Sequence, residues 1–216
     1  MLVNVDRLSE KPSHLNYERA AAIPLAGLTS YRAVFTHGHI HRGENVLISG
    51  IGGGVALFAF QFAVATGANV YVTSSSEDKL SKAQNIGAIS GANYTQTDWH
   101  KELLEKSGGF DLVIDSGGGE NFNLLIKMMR PAGRIVFYGA TQGLPTSIDL
   151  YRAFFNQLCI QGTTMGNDVE FDEMVKFIAS KKIIPIVDSI RPFEQIVSAF
   201  DEMKQGNQFG KLVVKF

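Results

Sequence analysis

Apolar residues fall along this chain in short β-branched runs separated by longer segments of helical spacing. Residues 46–49, Val-Leu-Ile-Ser, show no polar alternation, the pattern of a strand buried on both faces of a parallel sheet. A glycine cluster follows at Gly50, Gly52, Gly53 and Gly54. Residues 55–65 then carry Leu57, Phe58, Phe60, Phe62 and Val64 with Gln61 as their polar exception, so they predict a helix enclosed nearly all round and stopped by Gly67. Residues 69–73 read as a second strand, which completes a strand–helix–strand unit of the length a right-handed crossover needs.

The alternation continues downstream. Residues 78–85 predict a polar helix, Gly87-Ala88 a turn, and the next residues a short extended segment ending at Tyr94. Residues 99–106 predict a helix stopped by Ser107-Gly108-Gly109, and residues 111–115 a buried strand that empties into Ser116, Gly117, Gly118 and Gly119. Residues 122–129 suit a helix closed by a turn at Arg130-Pro131-Ala132-Gly133, and residues 134–138 a strand ending at Gly139-Ala140. This grammar predicts an α/β fold, a doubly wound parallel sheet of the Rossmann kind, with a ligand across the carboxyl ends of the strands.

The glycine cluster names a class of ligand. Glycine lets the backbone turn sharply and approach a pyrophosphate, and the unpaired N–H groups opening the following helix supply positive charge, so Gly50, Gly52, Gly53, Gly54 and Val55 are candidates for a dinucleotide's phosphates. In most NAD-binding units an acid ends the second strand and binds the adenosine ribose. Here Thr73 is followed by Ser74, Ser75 and Ser76, with Lys79 nearby. Hydroxyls and a cation suit a 2′-phosphate that a carboxylate would repel, so NADP(H) is preferred and NAD is the alternative. The same serines also suit a helix cap, with Glu77 and Asp78 favourable in the first turn.

Composition narrows the rest. The 216 residues, 45% hydrophobic with a formal charge of −1, make one medium domain or one domain plus an appendage. No basic surplus exists for nucleic acid, the apolar helix is too short for a bilayer, and the first residues, from Met1 to Arg7, lack a secretory apolar core. A single cysteine, Cys159, excludes an internal disulfide and fits a reducing cytoplasm; its apolar flanks Phe154, Phe155, Leu158 and Ile160 predict a buried filler. Phe193, Phe200 and Phe209 read as core, Arg130 and Arg134 as helix-end and surface cations, and Asp115 as an acceptor of local backbone hydrogen bonds.

Several segments, in this order, resemble the medium-chain dehydrogenase/reductase superfamily and in particular its zinc-independent quinone oxidoreductase-like branch. They are Ala20-Ala-Ala-Ile-Pro-Leu-Ala-Gly-Leu-Thr29-Ser-Tyr31, the Gly50 to Ala56 turn, Asp115-Ser-Gly-Gly-Gly119, Arg130-Pro-Ala-Gly-Arg134, Tyr138-Gly-Ala140 and Gly210-Lys-Leu-Val-Val-Lys-Phe216. In that branch a lysine and a tyrosine 15 positions apart flank the 2′-phosphate, and Lys79 and Tyr94 have that separation. The resemblance further implies that Thr29 lies near the nicotinamide, that Tyr138, Gly139 and Ala140 line its pocket, and that the strand around residues 159–166 joins two sheets across a two-fold axis in a homodimer.

It also implies a division of the chain: residues 1–35 a linker and first helix, 36–167 the dinucleotide-binding domain, and 168–216 a segment returning to a β-rich substrate domain. Such a domain of roughly a hundred residues precedes this region in the family, so the expectation is a cofactor-domain fragment or shortened product, inactive alone, whose strand at residues 211–216 is unpaired. Zinc is not expected. Leu25 occupies the position of a zinc-ligating cysteine, and the alternating His37, His39 and His41 could share one face of an extended segment but precede the Gly43 turn and have no family role. The expected function is hydride transfer between NADP(H) and a small-molecule carbonyl, quinone or activated enone, with no catalytic residue identified. A non-catalytic dinucleotide-binding module and an S-adenosylmethionine-dependent methyltransferase are the alternatives.

Overall fold

A computed structural model describes residues 2–216; Met1, where the amino-terminal reading begins, lies outside them. Six strands form one parallel sheet: β1 (Asn45–Ile48), β2 (Asn69–Ser74), β3 (Ser90–Asn93), β4 (Phe110–Asp115), β5 (Met129–Phe137) and β6 (Cys159–Gly162). Their order is β3-β2-β1-β4-β5-β6, so the chain reverses direction across the sheet between β1 and β4. Register is in step across that centre, with Ile48 opposite Val72 on one side and Ile114 on the other. Every residue of β1 is buried, as a strand covered on both faces must be.

Helices cover the two faces. On one side α2 (Pro24–Tyr31), α3 (Gly54–Thr66) and α8 (Asp168–Lys181) share a core in which Phe58, Phe60, Phe62, Met174 and Ile178 are at most 2% exposed. Phe62 anchors it, its ring 5.7 Å from Phe58 and from Phe177 and 6.0 Å from Phe35. α3 is apolar all round because it is enclosed by the sheet, α2 and the carboxy-terminal segment. On the other side α5 (Trp99–Ser107) and α6 (Asn121–Met128) bury Trp99, Leu103, Phe122, Leu125 and Ile126 against Leu47, Val113 and Ile135. α1 (Tyr17–Ala21), α4 (Glu77–Asn85) and α7 (Leu150–Phe155) complete the main unit. α2 runs on into a π-helical turn, Arg32–His37.

Several expectations need correction. Residues 130–133 are not a free turn between helix and strand: β5 already pairs at Met129 with Phe110, and Arg130–Gly133 bulge out of the ladder before Arg134 pairs with Leu112, with Ala132 left-handed at φ 59°. Arg134 is no surface cation, because its guanidinium grips both carboxylate oxygens of Glu44 at 2.7 and 2.8 Å and ties β5 to the turn before β1. Cys159 is exposed, since β6 is the sheet's edge and its apolar neighbours Phe154 and Phe155 face outward at 66% and 68% exposure. Phe193 and Phe200 are likewise exposed, whereas Phe209 packs partly buried against the core.

The final strand is not unpaired. β8 (Lys211–Lys215) lies parallel to β7 (Val187–Pro192) in a separate two-stranded sheet, with α9 (Ile196–Gln205) between them along the chain. Residues 37–41 do not form an extended face either. His37 closes the π-helical turn and His39 is left-handed at φ 45°, which breaks the alternation.

Candidate functional site

The reversal of strand order between β1 and β4 opens a crevice at the strands' carboxyl ends, where doubly wound sheets hold ligands. The glycine turn after β1 forms its floor. Gly50 adopts φ +65°, donates its N–H to Thr73 Oγ1 at 3.2 Å, and Ile51 N–H reaches the Thr73 carbonyl at 2.7 Å, so the turn is pinned to the end of β2. The first intrahelical donor of α3 is Leu57, bonded to the Gly53 carbonyl at 3.0 Å, and no side chain caps the helix. The first-turn amides of Gly54, Val55 and Ala56 therefore keep their donor capacity, the feature that lets a helix start bind phosphate.

The resulting cleft has a volume of about 320 Å³, within the range of ligand sites. Gly50, Gly52, Gly53, Ser74, Ser75, Lys79, Tyr94, Ser116 and Gly117 all line it, and the structure thus brings together nine residues singled out from sequence. Gly52 permits a close approach: a Cβ there would sit 3.1 Å from both Cδ and Nζ of Lys79. Burial lowers the Lys79 ammonium's pKa, against the attraction of Asp188. At the end of β2 the hydroxyls have divided tasks. Ser76 caps α4 by accepting from Lys79 N–H, Ser74 Oγ accepts from Ser76 N–H at 3.1 Å, and Ser75 is exposed.

Asp115, 3% exposed, closes the cleft's inner wall, where it accepts from Gly118 N–H at 2.9 Å, Gly117 N–H at 3.2 Å and the Ser49 hydroxyl. It holds the second glycine run in place, as the sequence suggested. Tyr138 N–H donates to the Asp115 carbonyl at 2.9 Å and Thr141 N–H to the Ser116 carbonyl at 3.1 Å, which clamps the loop after β5 to the one after β4.

Beyond that clamp lies a second cavity of about 530 Å³, lined by Tyr138, Gly139 and Ala140, by Gly162, Thr163 and Thr164, and by Arg32 and His37 from the two ends of the π-helical turn. Tyr138 is partly buried, and burial pushes its phenol up to about 12, with the Ser116 side chain acting in the opposite direction. Arg32 is held by Glu170 at 3.1 Å, and Glu170 also accepts from Thr36 Oγ1 at 2.7 Å and caps α8 through Asn167. Burial works to raise the Glu170 pKa, but the Thr36, Asn167 and Arg32 hydrogen bonds outweigh it and hold the carboxyl below the usual range.

Thr29, Gly54 and Val55 line neither cavity. Thr29 is buried and turned back onto its own helix, bonded to the Leu25 carbonyl at 3.0 Å, with the Met165 sulfur 3.9 Å away. Val55 offers its carbonyl to Ser30 at 2.6 Å. The sequence reading missed Trp99, Asn121 and Gln142 on the cleft wall, and Gly206 and Gln208, which arrive from the far end of the chain. Trp99 carries a signal, an aromatic just after Tyr94; Gly206 and Gln208 carry none that is local. Among the described residues no group of three or more His, Cys, Asp or Glu side chains is placed to hold a metal ion.

Comparison with known proteins adds to this geometry. Residues 54–180 match the sequence profile of the zinc-binding dehydrogenases. The chain is 40% identical over 215 residues to the zinc-type alcohol dehydrogenase-like protein YogA of Leptosphaeria maculans, an alignment covering 94% of this chain and 60% of that protein. Among solved structures, an NAD-dependent alcohol dehydrogenase superposes with TM-score 0.92 at 34% identity over 99% of this chain and 63% of its own. The quinone oxidoreductase of Thermus thermophilus, whose complex with NADPH is known, superposes with TM-score 0.85 at 27% identity over 97% and 70%. The chain spans about three fifths of the length of the curated relatives it matches.

Proposed function

The chain belongs to the zinc-binding dehydrogenase family, and on that premise we propose that it is the dinucleotide-binding part of an oxidoreductase that prefers NADP(H) to NAD(H). The carrying observation is the end of β2, where Ser74, Ser75 and the Lys79 ammonium line the cleft and no carboxylate from that strand does. NADP(H) supplies the hydride, to or from a small carbonyl, quinone or activated enone. The quinone oxidoreductase relative is described with NADPH and the alcohol dehydrogenase relative as NAD-dependent, so the preference rests on this chain's own residues.

In this reading the amides of Gly52 and Gly53, which line the cleft, hold the pyrophosphate, the start of α3 at Gly54 and Val55 stands behind them, and Gly50 sets the turn. Lys79 and Tyr94 flank the 2′-phosphate, with Ser74 and Ser75 beside them. Ser116 and Gly117 border the path from the first cleft to the second. Tyr138, Gly139 and Ala140 then border the nicotinamide, with Thr29 behind Met165. Tyr138 keeps its proton at neutral pH, so it borders the nicotinamide as a neutral hydroxyl. Residues 36–167 carry the nucleotide site and residues 168–216 close it from outside, while the leading residues 1–35 contribute the helix behind the second cavity. In this proposal the 216 residues alone bind cofactor without turnover.

We also propose a homodimer paired through β6, whose exposed edge continues the exposed Tyr151, Phe154 and Phe155. Among the described residues no helix is long and apolar enough to cross a membrane, and one exposed free thiol fits a reducing cytoplasm. Thermal-shift titration with NADPH, NADH and S-adenosylmethionine in parallel tests the assignment. NADPH should give the largest stabilisation; stabilisation by S-adenosylmethionine alone would replace it with the methyltransferase reading.

A further inference from the structure

The carboxy-terminal segment reaches the cleft through residues 206–210, which cross from the end of α9 to the start of β8. At one end Lys79 Nζ donates to the Gly206 carbonyl at 2.5 Å. At the other, Gly210 N–H donates to the Gly52 carbonyl at 3.0 Å, inside the glycine turn itself. Between them Phe209 N–H donates to Asp188 Oδ1 at 2.8 Å, and the Phe209 ring lies 5.9 Å from Lys82 Nζ. The segment is a strap over the rim of the cleft. Both Gly206 and Gln208 line that cleft together with Lys79.

The strap's hold at Gly206 uses the same ammonium that the cofactor reading assigns to the 2′-phosphate. Lys79 is drawn partly out of water, with Asp188, Lys82 and Asp78 as its charged neighbours. A phosphate monoester is a stronger acceptor for an ammonium than a neutral peptide carbonyl. Resting on the NADP(H) reading, we propose that the strap is a second determinant of cofactor choice, acting through Lys79. The 2′-phosphate takes the ammonium from the Gly206 carbonyl and frees that end of the strap, whereas NAD(H), with a hydroxyl there, leaves it latched. Because the strap runs directly into β8, the small β7–β8 sheet then differs in order between the two bound states.

Hydrogen-exchange mass spectrometry on peptides covering residues 203–210 tests this, with the protein free and saturated with NADPH, NADH, 2′-AMP or 5′-AMP. NADPH and 2′-AMP should speed exchange at residues 206–208 about tenfold relative to NADH and 5′-AMP, the loss of one charge-assisted hydrogen bond. In free Lys79→Met the strap should already exchange at the fast rate, and Lys79→Arg should restore the slow one. Equal strap exchange with NADPH and NADH, or a Lys79→Met strap as slow as the parent's, overturns the proposal. If nucleotides protect residues 50–55 while the strap ignores their 2′-phosphate, the latch alone fails. If no nucleotide protects residues 50–55, the cofactor reading fails and takes the latch with it.

Discussion

Single side chains here act through the protons they hold. Tyr138 sits between the two cavities with its phenol pushed up to about 12, chiefly by burial. A group whose folded pKa is raised contributes stability that is complete below its unfolded value and fades as pH rises toward the folded one. The parent should therefore lose stability between roughly pH 10 and 12, and Tyr138→Phe should flatten that decline in denaturant melts taken across the range. Glu170 has the opposite sign. Its carboxyl is held below the ordinary 4.5, so its contribution is present above that pH and lost as pH falls through the folded value. Glu170→Gln should cost about 1–3 kcal/mol at pH 7, by weakening the bonds to Arg32 and Thr36, and the penalty should shrink in melts at pH 3.

Elements were legible wherever the hydrophobic period was unbroken. α3, β1 and β4 lie within a residue or two of their expected limits because a segment enclosed on all sides has no polar face to confuse the period. Phe62 shows the cost of that enclosure. With no exposed surface and aromatic partners on three sides, Phe62→Ala should destabilise the fold by about 3–5 kcal/mol in urea unfolding. Where the pattern misled, a tertiary partner explains it. Pro131 and Gly133 look like a turn, yet β4 on one side and β6 on the other extend the ladder past the bulge. Cys159 has apolar sequence neighbours, but an edge strand turns them outward. Of the cleft's lining, the glycine turn, the serines and Lys79 could be read locally and Tyr94 through the resemblance, while Gly206 and Gln208 come from residues over a hundred positions away and only folding brings them to the cleft.

Two features of the molecule as a whole bear on its function. The first concerns assembly. Tyr151, Phe154 and Phe155 are exposed on the helix that precedes the edge strand β6, with Tyr151 and Phe155 stacked at 5.9 Å; under the proposed homodimer, Phe154→Asp should shift sedimentation velocity to monomer while leaving the fold's circular dichroism unchanged. The second is central, and is the proposal that the cavities on either side of the Ser116–Thr141 hydrogen bond take one dinucleotide, with its 2′-phosphate at Lys79. Calorimetric titration of the parent and of Lys79→Glu with NADPH and NADH addresses that claim most directly. The account predicts tighter binding of NADPH by the parent, and a loss of about 1.5–3 kcal/mol for NADPH with NADH little changed in the variant. An NADH preference in the parent, or equal losses for both nucleotides, would contradict it.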